Sequence, residues 1–143
     1  RMGFDSIDEV TDPDVDQGGP FSDTFTYLDI GCVDNARKQI VAPKVVRKSE
    51  APSRARQRLR VGDVLVSMTR PNLNAVALVP TSLQASIGST GFHVLRSKLI
   101  NPKWLHFLVQ TTGFVEAMSA LSKARWGVDA ILISGPQYPE ADW

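Results

Sequence analysis

At Asn101-Pro102 the hydrophobic period of this chain changes from two to between three and four, so its fold must join a strand-rich first part to a helical second part. Before that point, residues 25–30 alternate aromatic or aliphatic with polar side chains and read as a first strand, and residues 39–42 as a short second one. Residues 63–69 (DVLVSMT) and 75–80 (AVALVP) are the strongest strand signals, joined through Arg70, Pro71, Asn72, Leu73 and Asn74 as a hairpin turn. Residues 91–96 (GFHVLR) close the series. After it, Asn101 supplies an N-cap, Pro102 occupies the first helical position, and Trp104, Leu105, Leu108 and Val109 recur at helical spacing to about Thr112. A second helix is expected from near Gly113 to about Ala124, with Phe114, Val115, Met118 and Leu121 on one stripe. The fold class expected is therefore α/β of the α+β kind, a mainly antiparallel sheet with a C-terminal helical hairpin.

The 143 residues, 43% hydrophobic, fit one domain. Its expected parts are an acidic, loop-rich lead over 1–24, a body over 25–126 and a tail over 127–143. Asp12, Pro13, Asp14, Asp16, Gly18, Gly19 and Pro20 favour turns, and the lead is expected to be a mobile approach with little regular structure. The longest aliphatic runs, 75–79 and 130–133, are far shorter than the roughly 20 residues that cross a bilayer. Nothing at the N-terminus resembles a secretory signal, and a single cysteine, Cys32, forms no internal disulfide, so a cytoplasmic address is the default expectation. Phosphate-loop, dinucleotide, zincin and nucleophile-elbow motifs are all missing. His93 and His106 stand thirteen residues apart without a ligand-like pattern around them. No enzyme activity, cofactor or metal is expected.

The net charge of +1 conceals a separation along the chain. Residues 1–35 carry nine acids against Arg1, whereas residues 37–70 carry ten bases against Glu50 and Asp63. Such asymmetry marks a polyanion-binding surface, unless the two segments simply pair with each other. Within the basic part, Arg54, Arg56, Arg58 and Arg60 occupy every second position. An extended backbone would project all four to one side, whereas a helical turn would divide them into two pairs. Guanidinium groups suit bidentate contacts with phosphate or with the N7/O6 edge of guanine, and Asn72 and Asn74 have the donor and acceptor pair that reads adenine.

The blocks Ala51-Pro52-Ser53-Arg54-Ala55-Arg56, Gly62-Asp63-Val64-Leu65, Ser67 and Arg70-Pro71 resemble the target recognition domain of the specificity subunit of type I restriction-modification systems. Tyr27-Leu28-Asp29-Ile30, the strand from Ser89 to Arg96 and the helix with Trp104-Leu105 and Phe107-Leu108 extend the resemblance over about residues 27–125. It implies a non-catalytic module that binds double-stranded DNA through a curved, mainly antiparallel sheet and directs methyltransferase and nuclease subunits to a half-site. The chain shows one recognition domain and no long spacer helix, so reading a split site requires a homodimer, or the chain is a fragment. Gly62, Asp63, Leu65 and Phe92 are assigned to turn and core. Arg54, Arg56 and Arg70 are candidates for holding phosphates, and Lys44, Arg47, Lys48, Arg58, Asn72 and Asn74 for reading bases, with Arg60 completing the basic run. The rival reading is a protein-interaction module, to be recognised by an exposed patch around Trp104, Phe107 and Trp126, or by pairing of Asp12, Asp14 and Asp16 with the arginines. RNA binding ranks last, because no aromatic residue interleaves the basic run.

Overall fold

A computed structural model describes residues 7–12 and 14–124. Its strands are β1 (Thr11–Asp12), β2 (Thr24–Leu28), β3 (Val33–Asp34), β4 (Gln39–Ile40), β5 (Lys44–Arg47), β6 (Ala55–Arg58), β7 (Val64–Ser67), β8 (Val76–Leu78), β9 (Ile87–Ser89) and β10 (Phe92–Ser97), followed by α1 (Pro102–Leu108) and α2 (Thr112–Ala124). Among the described residues they form a first sheet in the order β1-β10-β7-β8, a second in the order β5-β2-β9-β6, and the small hairpin β3-β4. Every pairing is antiparallel except β2 with β9. The architecture is the mainly antiparallel one expected, with the helical hairpin packed against it and no closed barrel among the described residues.

Alternation along β7 explains the layering. Val64 and Val66 face Trp104, Leu105, Leu108 and Phe114 of the helices. Leu65 faces the other way, into a cluster with Leu28, Leu59, Phe92 and Val94 that joins the two sheets. The first sheet is thus the middle layer, and each of these buried aliphatic or aromatic side chains stabilises the stack by roughly 1.5–3 kcal/mol. A third cluster, Phe25, Tyr27, Ala55 and Ile87, lies on the opposite face of the second sheet.

The helices start where their sequence places them. The Asn101 side chain accepts from the Lys103 N–H at 2.8 Å, Pro102 occupies the first turn, and Thr111 Oγ1 accepts from the Phe114 N–H at 3.2 Å to open α2. Phe114 and Met118 are buried as the stripe requires. β2 stops two residues short of its expected end, because residues 30–32 turn into a short 3-10 helix. β5 was not expected as a strand, whereas β6 takes the extended one of the two conformations left open for the arginine run. β5 is an edge strand with three of its four side chains exposed, so burial leaves no alternation in its sequence.

The lead departs from the mobile approach expected of it. Ile7 and Val10 are fully buried beneath the helices, and Thr11 and Asp12 pair with Ser97 and Arg96. Two apolar residues three apart on a 3-10 turn suffice to anchor the segment, although acids surround them. The turn chemistry itself is present: Asp12 Oδ1 accepts from the Asp14 N–H and Asp16 Oδ1 from the Gly18 N–H, both at 2.9 Å. Trp126 and the 127–143 tail lie outside the described residues.

Ala85 adopts φ +66°, with its N–H donating to the Leu59 carbonyl at 3.0 Å. A Cβ in this left-handed region costs on the order of 1 kcal/mol. Ala85→Gly is therefore expected to raise stability by about 0.5 kcal/mol, the relief being partly offset by the greater freedom of glycine in the unfolded chain. Urea denaturation midpoints would measure it.

Candidate nucleic-acid interface

The arginine run is extended. Ala55, Gln57 and Leu59 are buried and Arg54, Arg56, Arg58 and Arg60 exposed, which excludes the helical turn. The four do not share one side, however. The register shifts between Ala55, opposite Ser89, and Gln57, opposite Gly88, leaving Arg56 as an extra residue in a bulge. Arg58 therefore shares the face of Ile87, where its guanidinium lies 4.8 Å from the centre of the Phe21 ring. Arg54 turns the other way: a Cβ built on Gly91 would stand 3.5 Å from its Nη1 and 3.2 Å from Cδ1 of Ile30. Gln57 holds the bulge, its amide donating to the carbonyls of Ser89 at 2.8 Å and Phe92 at 2.9 Å.

The outer edge of β6 is covered by the lead. Asp16 O accepts from the Arg58 N–H at 2.8 Å, Gly19 N–H donates to Arg56 O at 3.0 Å, and Gln17 Nε2 donates to Gln57 Oε1 at 3.0 Å. The close approach suits glycine at residue 19, since a Cβ would come within 2.9 Å of Ile87 Cδ1 and 3.2 Å of the Arg56 carbonyl oxygen, so that Ile87 would have to shift. Among the described residues, Asp12, Asp14 and Asp16 make no ion pair with the four arginines. Acidic and basic segments meet through the backbone, which leaves Arg54, Arg56 and Arg60 without a carboxylate partner among the described residues. A recess of about 520 Å³ opens beside the run, lined by Asp14, Asp16, Arg58, Arg60, Gln84 and Arg96 among others.

One arginine outside the run fixes its far end. Arg96 Nε and Nη2 each donate at 2.9 Å to Asp63, whose side chain is 1% exposed, while Nη1 donates to Asp14 O at 2.8 Å and Nη2 to Arg58 O at 3.3 Å. Asp63 also accepts from the Arg60 N–H at 2.8 Å. The Asp63 hydrogen bonds raise the Arg96 pKa above its ordinary value despite burial. Gly62, at φ +90°, makes the turn that returns Asp63 to this position.

The remaining candidates are spread around the second sheet and one loop. Lys44, Tyr27, Ile87 and Arg58 form one row across all four strands, so Lys44 and Arg58 sit on opposite edges, about 14 Å apart at the usual strand spacing. Arg47, opposite Thr24, and Lys48, whose N–H donates to Asp23 O at 2.7 Å, lie toward one end with Arg60. Arg54 lies at the other, where Thr90 N–H donates to Arg54 O and Met68 N–H to Gly91 O, each at 3.0 Å, bringing the 68–74 loop alongside. Arg70 and Asn72 are exposed in that loop. Asn74 is occupied structurally: its side-chain amide Nδ2 donates to Val109 O at 2.9 Å and its backbone carbonyl accepts from Lys38 Nζ at 2.7 Å.

Lys44 is paired with Asp29 at 2.8 Å. Burial alone would raise the Asp29 pKa, but hydrogen bonds from Lys44, Cys32 and the Gly31 backbone together with the Lys44 charge hold it below the ordinary aspartate value. The same bond raises Lys44. Because Asp29 is depressed in the fold, the pair contributes stability above the unfolded-state pKa of the carboxyl, and that contribution disappears as the pH falls through its folded value. Burial raises the Cys32 thiol and lowers His106. Among the described residues no three His, Cys, Asp or Glu side chains converge as a metal site, and no helix is long and apolar enough to cross a membrane.

No protein-family model matches the chain. No curated protein matches it either. Solved structures do, two of them as follows. The HsdS subunit from Thermoanaerobacter tengcongensis is 32% identical with a TM-score of 0.71, the match covering 93% of this chain and 33% of that one. A chain from a structure of the type I R-M system, solved to describe its complex assembly and conformational transition, is 34% identical with a TM-score of 0.82, over 93% of this chain and 37% of that one. The chain thus spans about a third of the length of the chains it matches.

Proposed function

We propose that this chain, an HsdS-like target recognition domain by fold, binds double-stranded DNA sequence-specifically and performs no chemistry itself. The observation that carries the proposal is the edge strand β6, whose arginines are exposed while its alternate residues are buried and whose cationic groups meet no carboxylate among the described residues. Arg54, Arg56 and Arg70 hold phosphates in this reading. Arg47, Lys48, Arg58 and Asn72 are exposed to contact bases and Arg60 completes the basic run, while Lys44 is held by Asp29 and Asn74 serves the 68–74 loop. A homodimer, or a second such domain, would supply the other half-site, and a methyltransferase subunit the chemistry.

Fluorescence anisotropy of a randomised duplex pool at several salt concentrations, with sequencing of the bound fraction, tests the proposal. Three phosphate contacts predict a slope of log affinity against log salt of about −2.7, steeper if more cations engage, together with an enriched short motif. Absence of binding at low salt by folded protein would sink it. Asp29→Asn, by releasing Lys44, is expected to tighten binding and steepen that slope by up to about 0.9.

The rival, a protein-interaction module, would be marked by a patch around Trp104, Phe107 and Trp126, of which Trp126 lies outside the described residues. Trp104 is 2% exposed, and the exposed Phe107 stacks on it with ring centres 5.4 Å apart.

A further inference from the structure

The arginine run contains no aromatic residue, yet the fold brings one to it. Phe21 is 46% exposed, and its ring faces the Arg58 guanidinium. Both partners are anchored. A Cβ on Gly18 would lie 3.7 Å from Phe21 Cε1 and one on Gly19 3.2 Å from Phe21 Cε2, so the ring folds back closely over two residues without side chains. Arg58 has its backbone N–H fixed by Asp16 O and its carbonyl by Arg96. Its side chain makes no hydrogen bond or ion pair among the described residues, so the ring face is its contact there. A guanidinium held over a ring keeps its in-plane N–H donors free and has already lost much of the rotational freedom that binding would otherwise remove.

Resting on the DNA-binding reading above, we propose that Phe21 is a positioning residue that presents Arg58 to a bidentate acceptor on duplex DNA. The acceptor is a phosphate or the O6/N7 edge of guanine. The lead, for all its acids, is then part of the interface, contributing through an aromatic ring and backbone carbonyls.

The test is anisotropy with the randomised duplex pool at three salt concentrations, for the wild type, Phe21→Leu, Phe21→Tyr, Arg58→Ala and the double variant Phe21→Leu/Arg58→Ala. Phe21→Leu is expected to weaken binding about two- to fivefold, the range of an exposed cation–π contact, with the salt slope unchanged. Phe21→Tyr restores it, and Phe21→Leu has no effect in the Arg58→Ala background. A pool carrying 7-deazaguanine separates the two acceptors: it removes the Arg58 contribution if the partner is guanine N7 and leaves it if the partner is phosphate. An equal loss from Phe21→Leu in both backgrounds, or no loss in either, overturns the proposal while leaving DNA binding intact. A wild-type protein that binds no duplex overturns the parent reading as well, and that result is read before any variant is compared.

Discussion

Arg96→Ala is expected to lower the stability of the fold by about 3–5 kcal/mol, the range for removing one partner of a buried ion pair. The Asp63 carboxylate is 1% exposed and would be left without its cation. The carbonyls of Asp14 and Arg58 would lose a donor at the same time. Small domains are stable by only about 5–15 kcal/mol, so the variant would lie near the edge of folding. Arg96→Lys should recover part of the loss, because a lysine restores the charge but not the two parallel N–H donations to Asp63. Replacing both partners by apolar residues of similar volume should cost less than Arg96→Ala, since no charge is then buried alone. Urea denaturation of the three variants, read as midpoints at constant slope, separates these cases.

That hub also shows where the sequence stops being legible. Gly62-Asp63 reads as a turn, and it is one. That Asp63 meets an arginine thirty-three residues later is a long-range fact that no local pattern encodes. The helical hairpin was legible because a cap, a proline and an apolar stripe are all local. β6 was legible as an alternating basic run, but the bulge that sends Arg54 and Arg58 to different sides arises from its pairing with β9. The lead was misjudged for a related reason. Its acids and glycines describe its turns correctly, whereas its packing depends on Ile7, Val10 and Gly19 finding partners elsewhere in the chain. Asn74 illustrates the limit for sites: an amide in a turn reads equally well as a base contact or as the tie to Val109 that the fold makes of it.

The triple reversal Arg54→Glu/Arg56→Glu/Arg58→Glu is expected to lower duplex affinity by about a thousandfold at 0.1 M salt. Losing the two phosphate-holding cations Arg54 and Arg56 flattens the salt slope by about 1.8, which at that concentration is a factor of about 60, and the lost Arg58 contact together with the repulsion of three carboxylates supplies the rest. The fold should survive, because the substitutions leave the inward set of Ala55, Gln57 and Leu59 untouched and exposed changes usually alter stability by less than about 0.5 kcal/mol each. A bulk effect of net charge needs a control placed elsewhere. Reversing Lys103, exposed on α1, changes the charge without touching the second sheet, since the first sheet lies between that sheet and the helices. Anisotropy should then show little change for Lys103→Glu beside the loss for the triple variant. Parallel losses per charge reversed would instead locate the attraction in the protein as a whole. The bulge adds one further expectation: because Arg54 and Arg58 diverge, the single reversals Arg54→Glu and Arg58→Glu should combine additively, as sites without shared partners do.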